Sequence, residues 1–371
     1  MTLGIPRSGF TPAKLGVSRQ SASRPESLID AAAVPKLHRQ FETISMTISR
    51  LLLLTLLTIC TAASAQGFPD KSKQLRILVP FGAGSGNDVI ARAYARAISE
   101  ESGQPTIVEN KPGAEAVIGV EAAKSAAPDG YTILFGNSST HVLNVHMLQK
   151  LPYDPVADFI PLSGVASVAL VMNGGPSTKF RSVKEVVEAA RANPGKLSYG
   201  SGTTSTRLAM EMLEHLAKVQ LLSVPYKAMA QAAAALSGGE IDLLVTDVST
   251  ALPHYQAGRM RPLGTTGPKR LTALPDVPTL REQGISQYEF TAWSAMFVPA
   301  RTPSPVVDKL RLLFQQAAQS KYVGDALALN SQEPFDMNTA QLNARIRTDL
   351  DHWGKVLRDL KGTAISPRSK E

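Results

Sequence analysis

From Leu75 onward, short apolar runs alternate with stretches whose apolar residues recur every three or four positions. Leu75 to Val79 is a compact apolar run and predicts a strand. After a glycine-rich turn, Ile90, Ala93, Tyr94, Ala97 and Ile98 trace one stripe of a helix, with Arg92, Arg96 and Glu100 on its wet side. The strand Thr106 to Glu109, the turn Lys111-Pro112-Gly113, a small-residue helix to Ala126, the turn Pro128-Asp129-Gly130 and the strand Tyr131 to Phe135 follow. Strand–helix–strand repetition at this spacing predicts a parallel or mostly parallel sheet with helices on both faces.

The pattern then restarts. Ser182-Val183-Lys184-Glu185 reads as a capping box for a helix burying Val183, Val186, Val187 and Ala190, stopped by Asn193-Pro194-Gly195. The strand Leu197 to Tyr199 precedes a helix with Ala209, Met212, Leu213 and Leu216 on its buried stripe. The strand Leu221 to Val224, an Ala-rich helix to Leu236 and the strand Ile241 to Val245 complete the unit. Ser304-Pro305 predicts a helix cap with Pro at the favoured first position, and a last long helix runs from Thr339 to Leu360. Two α/β units with a return at the end imply two lobes joined by crossover strands near Val165–Met172 and Phe290–Val298. Lobe 1 is expected over 66–168 plus 292–371, and lobe 2 over 169–291.

The N-terminal region has a different design. From Met46 a short positive segment ends at Arg50, an apolar run extends from Leu51 to Cys60, and Ala63 and Ala65 supply the small residues of a cleavage site. This predicts a signal peptide over 46–65, cut before Gln66, with an apolar stretch too short to be retained as a membrane span. Residues 1–45 are expected to be a non-native or disordered leader. Cys60 is the only cysteine, so the exported chain would carry neither a disulfide nor a thiolate-ligated metal.

Composition changes little. With 43% hydrophobic and 19% charged residues in 371, the chain is globular and long enough for two cores. The net charge of +8 falls to +4 once the seven basic and three acidic residues of positions 1–65 are set aside. Without a Lys/Arg run or interleaved aromatics, a nucleic-acid partner is not expected.

Three strand-to-helix turns share one chemistry: GAGSGND (Gly82 to Asp88), GNSSTH (Gly136 to His141) and GSGTTST (Gly200 to Thr206). Each sets Gly, Ser, Thr or Asn at a helix N-terminus, where free amides and the helix dipole favour an anion. Any one of them alone reads as helix capping. Three in one exported chain predict a donor-rich cleft at the carboxyl ends of the strands, suited to a carboxylate.

Catalytic readings are weaker. GAGSG with Glu109 after the next strand imitates a dinucleotide site, but its glycines run G-x-G-x-G rather than G-x-G-x-x-G. Ser201 sits in Y-G-S-G, not in a G-x-S-x-G elbow. His141 and His146 lack a third ligand at metal spacing, and no carboxylate pair is marked out as a dyad. No enzyme activity, cofactor or metal is expected.

The wording of several segments is more specific. LRILVPFGAGSGNDVIAR, KPGAEAVIGVEAAKSAAPDGYTILFG, LPYDPVADF, NPGKLSYGSG, VPYKAMAQAAAALSGGEIDLL, ALPDVPTL and WGKVL together resemble the tripartite tricarboxylate transporter substrate-binding family, the Bug receptors, over about residues 68 to 360. The resemblance implies an α/β fold of the periplasmic-binding-protein type (type II), monomeric and periplasmic. It also implies delivery of a small organic acid to a permease of one large and one small membrane subunit. Carried over by the same resemblance as ligand-binding positions are Phe81, Ala83, Gly84, Ser85 and Asp88 in the first loop and Ser138, Ser139 and Thr140 in the second. Ser201, Thr203, Thr204 and Ser205, then Tyr226, Lys227 and Ala228, and finally Asp247, follow from the other lobe.

Each of these positions also has a structural reading: Phe81 as core, Asp88 as a cap, Lys227 as solvated, Asp247 as a loop holder. The chain departs from the family where Gly82 stands for Pro and Gly84-Ser85 for Gly-Gly. Its third loop is about two residues short, and Arg207 replaces a common His, bringing a charge to the cleft or pointing away. Transport is the expected output. A sensor that presents its loaded form to a signalling protein is the alternative, and an exported enzyme a remote one.

Overall fold

The computed structural model describes residues 67–362, with side chains as far as Leu360. The leader, the signal segment and Cys60 lie outside the described residues.

The described chain builds two mixed sheets. The first takes β1 (Leu75–Val79), β2 (Thr106–Asn110), β3 (Thr132–Asn137), β4 (Phe159–Ala169), β10 (Thr291–Pro299) and β11 (Glu333–Pro334) in the order β11-β4-β10-β3-β1-β2. The second takes β5 (Val171–Gly174), β6 (Ser198–Ser201), β7 (Leu222–Pro225), β8 (Leu243–Thr246) and β9 (Arg261–Thr265) in the order β7-β6-β8-β5-β9. In each sheet three strands run parallel: β2, β1 and β3 in one, β7, β6 and β8 in the other. The remaining strands pair antiparallel, so the sheets are mixed where the repeat predicted mostly parallel ones. Of these, β4, β5, β9 and β10 flank the connections between the sheets.

The helices are α1 (Gly86–Ala97), α2 (Val117–Lys124), α3 (Asn144–Met147), α4 (Val183–Ala192), α5 (Thr204–Ala217), α6 (Met229–Gly238), α7 (Val248–Gln256), α8 (Ser304–Ala318), α9 (Lys321–Leu329) and α10 (Thr339–Gly362). Two end signals act differently from their motifs. Ser182 Oγ accepts the Glu185 N–H at 3.2 Å, but the Glu185 carboxylate takes the Arg181 N–H, so only half of a capping box forms. Ser304 is the first helical residue of α8, and Pro303 holds the cap position without a side-chain bond. α7 escapes the periodicity because it is short and carries Pro253 in its interior.

Burial follows the two-residue repeat of β1. Leu75, Ile77 and Val79 join one core with Ile90, Tyr94 and Phe314, while Leu78 faces the opposite core with Val120 and Leu134. The chain passes from the first sheet to the second through the single residue Leu170, between β4 and β5. It returns along Thr266 to Phe290, ahead of β10. The two passages are tied together: Leu170 N–H donates to Thr266 Oγ1 at 2.8 Å, Thr266 N–H to Leu170 O at 2.9 Å, and Phe290 N–H to Thr266 O at 2.8 Å. The carboxyl ends of the parallel strands of both sheets open onto the space beside this junction.

Candidate functional site

One cavity of about 230 Å³ lies between the lobes and is lined by residues of both. The first loop enters it from β1. Gly84 turns with φ +80, a left-handed value that glycine adopts without a Cβ clash. Ser85 then caps α1, its Oγ accepting Asp88 N–H at 3.4 Å. The amides of Gly86 and Asn87, the first two of α1, have no hydrogen-bond partner among the described residues, and both residues line the cavity.

Asp88 is buried and does not line the cavity. Its carboxylate accepts Gly84 N–H at 2.9 Å, Arg92 Nε at 3.0 Å and Asn110 Nδ2 at 2.9 Å. Burial pushes its pKa up, but Arg92, the Gly84 amide and Asn110 together outweigh burial and hold it below the ordinary value. Asp88 is therefore the strut that shapes the loop, and it engages the Gly84 amide. Phe81 belongs to the core and also lines the cavity.

In the second loop Thr140 is turned inward: its Oγ1 accepts Asn137 N–H at 2.9 Å, and its N–H donates to Asn137 Oδ1 at 3.1 Å. Ser138 and Thr140 do not line the cavity; Ser139 and Asn137 do. Ser139 Oγ lies 2.7 Å from Ser205 Oγ and accepts Ser205 N–H at 3.2 Å, joining the second and third loops across the lobes. In the third loop Thr203 caps α5 in a reciprocal box with Thr206, and both line the cavity. Thr204 Oγ1 donates to Asn144 Oδ1 at 2.8 Å instead, and Ser201 stays inside β6.

Of the remaining expected positions, Lys227 and Ala228 line the cavity, while Tyr226 packs against the core beneath α6. Helix α6 has no side-chain cap; Met229 and Ala230 line the cavity, and their amides have no partner among the described residues. Asp247 lines the cavity and caps α7 through Thr250 N–H at 2.9 Å, with Thr250 Oγ1 at 3.1 Å and Ser249 Oγ at 2.6 Å. It stands directly against Gly86: a Cβ built there would lie 3.2 Å from its carboxylate.

Several lining residues escaped the sequence reading. Trp293 and Ser294 sit in β10, within the Phe290–Val298 segment that the sequence marks only as a crossover strand, and Gln332 lies in an unmarked loop after α9. The indole of Trp293 donates to Asp349 Oδ2 at 2.7 Å and stacks on Phe335 at 6.1 Å. His254, also on the wall, is held below its usual pKa by burial first and then by Arg259.

Arg207 turns away from the cavity and pairs with Glu115 at 3.0 Å. His141 is fully buried, stacked on Phe297 at 3.7 Å, and burial lowers its pKa to about 3, so it is neutral. His146 Nε2 bonds Leu350 O at 2.9 Å. Among the described residues no group of three His, Cys, Asp or Glu is placed to hold a metal ion, and no helix is long and apolar enough to cross a membrane.

Two α/β lobes, tied by a double crossover around a donor-lined cavity, define the class of two-lobed solute-binding proteins. The profile described as "Tripartite tricarboxylate transporter family receptor" matches residues 90–361, and the chain belongs to that family. The family consists of solute-binding receptors and not of enzymes. The structure is similar to that of the periplasmic binding protein BugD, at 28% identity and TM-score 0.75, covering 79% of this chain and 99% of that one. It is also similar to Rpa4515 of R. palustris, solved with adipate, at 27% identity and TM-score 0.75, covering 79% and 98%. MatC of Rhodopseudomonas palustris, solved with bound malate, matches at 25% identity and TM-score 0.73, covering 78% and 100%.

Proposed function

We propose that this receptor captures a small carboxylate in the periplasm and presents it to a membrane permease of one large and one small subunit. One observation carries the reading: uncharged donors from both lobes converge on a single small cavity. Free amides at the start of α1 and α6 offer hydrogen bonds without bringing a counter-charge that must itself be desolvated, beside a wall where Ser139 and Ser205 bond each other and Thr203 caps α5. A volume of about 230 Å³ is below the usual range for drug-sized ligands and suits a solute of few heavy atoms. The adipate and malate bound by the two relatives are solutes of this kind.

In this reading lobe 1 spans 66–168 and 292–371 and lobe 2 spans 169–291, with Leu170 and Thr266 at the hinge. Phe81, Ala83, Gly84, Ser85, Ser139, Thr203, Ser205, Lys227, Ala228 and Asp247 contact the ligand or its waters. Asp88, Ser138, Thr140, Ser201, Thr204 and Tyr226 shape the loops. Ligand contacts from both lobes favour closure. Export would remove the segment through Ala65, which N-terminal sequencing of the secreted protein checks.

A thermal-shift screen of mono-, di- and tricarboxylates, amino acids and aromatic acids tests the assignment. A carboxylate at a hundred times its Kd stabilises the folded state by about 2.7 kcal/mol, so the melting point rises by several degrees. No shift from any carboxylate, against a clear shift from a neutral or cationic solute, would reject it.

A further inference from the structure

Outside the cavity, the two lobes also meet through a charged pair. Glu115 belongs to the loop between β2 and α2 in lobe 1, and Arg207 to α5 in lobe 2. Arg207 Nη1 lies 3.0 Å from Glu115 Oε1, each side chain keeps only 23% of its surface exposed, and neither lines the cavity.

The backbone beneath Glu115 is unusual. Ala114, Glu115 and Ala116 all have positive φ, at 46, 53 and 74 degrees, a run of three left-handed residues without a glycine. L-residues adopt that region at a cost, and a run of three persists only where the surroundings hold it. Here Asn144 Nδ2 donates to Glu115 O at 3.0 Å while Asn144 Oδ1 accepts Thr204 Oγ1 of lobe 2 at 2.8 Å. The strained turn is thus anchored by the same asparagine that receives the other lobe.

The pairing is incomplete. Glu115 Oε2 and Arg207 Nε are buried without a hydrogen-bond partner among the described residues. Glu211, one turn along α5, approaches Arg207 Nε at 3.8 Å, and Arg207 Nη2 makes a long 3.5 Å contact with Met147 O. One guanidinium therefore serves two carboxylates. Opening the lobes separates Arg207 from Glu115 but leaves Glu211 beside it on the same helix.

We infer that the Glu115–Arg207 pair is an interlobe latch that sets the closed fraction of this receptor from outside the ligand cavity. It rests on the hinge motion proposed above and not on the identity of the ligand. Because affinity scales with the fraction of the binding-competent state, a residue that never touches the ligand tunes its capture. A partly exposed pair of this kind shifts the closed-to-open ratio by up to about fivefold, and the shift shrinks as salt rises.

The test measures interlobe distance by energy transfer between dyes on Leu222→Cys and Leu312→Cys, in a Cys60→Ser background. The unmutated pair, Arg207→Ala, Glu115→Gln and the double variant Glu115→Gln with Arg207→Ala are compared, without ligand and with adipate as probe. The expected result is a lower closed-to-open ratio in both single variants and no further fall in the double variant, with melting points confirming that all variants fold; a double variant that falls by the sum of the two overturns the latch. The same ratio in all four proteins, or no closed population in any, overturns the latch. A distance that responds to adipate but not to the variants overturns the latch and leaves the hinge standing. One unvarying distance in every condition overturns both. If adipate fails to bind, the ligand-free comparison still decides the latch.

Discussion

Ser139 Oγ and Ser205 Oγ lie 2.7 Å apart, one from the second loop of lobe 1 and one from the N-terminal turn of α5 in lobe 2. Both residues are buried, and Ser139 Oγ also accepts the Ser205 N–H at 3.2 Å. These bonds exist only while the lobes are together. Ser139→Ala removes both and leaves two buried donors unmatched, which costs the closed state about 1 kcal/mol and weakens ligand binding about fivefold. Ser205→Ala keeps its backbone donor and loses less. Titration calorimetry with the best carboxylate of the screen checks the order; equal affinities would contradict it.

Gly86 offers a separation of binding from stability. A Cβ there would sit 3.2 Å from Asp247 Oδ1 and 3.1 Å from Gln332 Nε2. The glutamine can swing aside, but Asp247 is held by Ser249 and Thr250 and cannot yield easily. Gly86 opens α1, so Gly86→Ala gains only part of the roughly 1 kcal/mol that this exchange brings inside a helix, while obstructing approach of the opposite lobe. Expected is a melting point unchanged or raised, with affinity lowered severalfold. A tighter ligand complex would show that the contact is slack.

Asp349 fixes the indole of Trp293 at the cavity wall, and Arg345 grips Asp349 through Nε at 2.8 and 2.9 Å. Asp349→Ala leaves the buried indole N–H without an acceptor, a loss of about 1–3 kcal/mol and of several degrees in Tm. Asp349→Asn retains an acceptor and loses less. Tryptophan emission and thermal unfolding report the two effects together. An unshifted spectrum in Asp349→Ala would mean that the indole does not depend on this bond.

Asp88 gives the first loop a pH limit. Its folded pKa is depressed, so it contributes stability above the ordinary carboxylate value near 3.9, and that stability is lost as pH falls through the lower folded value. Asp88→Asn removes the ion pair with Arg92 and sets an amide against Asn110, at a cost of about 1–3 kcal/mol near neutrality. The melting point of the variant should fall less than that of the parent between pH 5 and 3, roughly the window in which an ordinary carboxylate protonates. Parallel curves would place the acid sensitivity elsewhere.

Much of this protein was legible in local pattern. The alternation from Leu75 to Phe135 and from Val183 to Val245 marks strands and helices because burial of one face imposes its period on the nearest few residues. The character of the three loops was equally local, since Gly, Ser, Thr and Asn at a helix start declare uncharged donors whatever surrounds them. The ordered wording of the segments carried the family. Pro253 inside α7 concealed a helix, and the mostly apolar β10 concealed the cavity residues Trp293 and Ser294, because nothing in a strand's own residues says which of its faces meets a cavity.

Only the tertiary structure decided which donors face the cavity. The Gly84 amide is engaged by Asp88 and Thr140 by its own loop, whereas Gly86, Asn87, Met229 and Ala230 keep theirs free among the described residues. It also turned Arg207 toward Glu115 and set Asp247 against Gly86. These outcomes depend on distant segments packing together, and the sequence of either partner alone does not contain the distance between them.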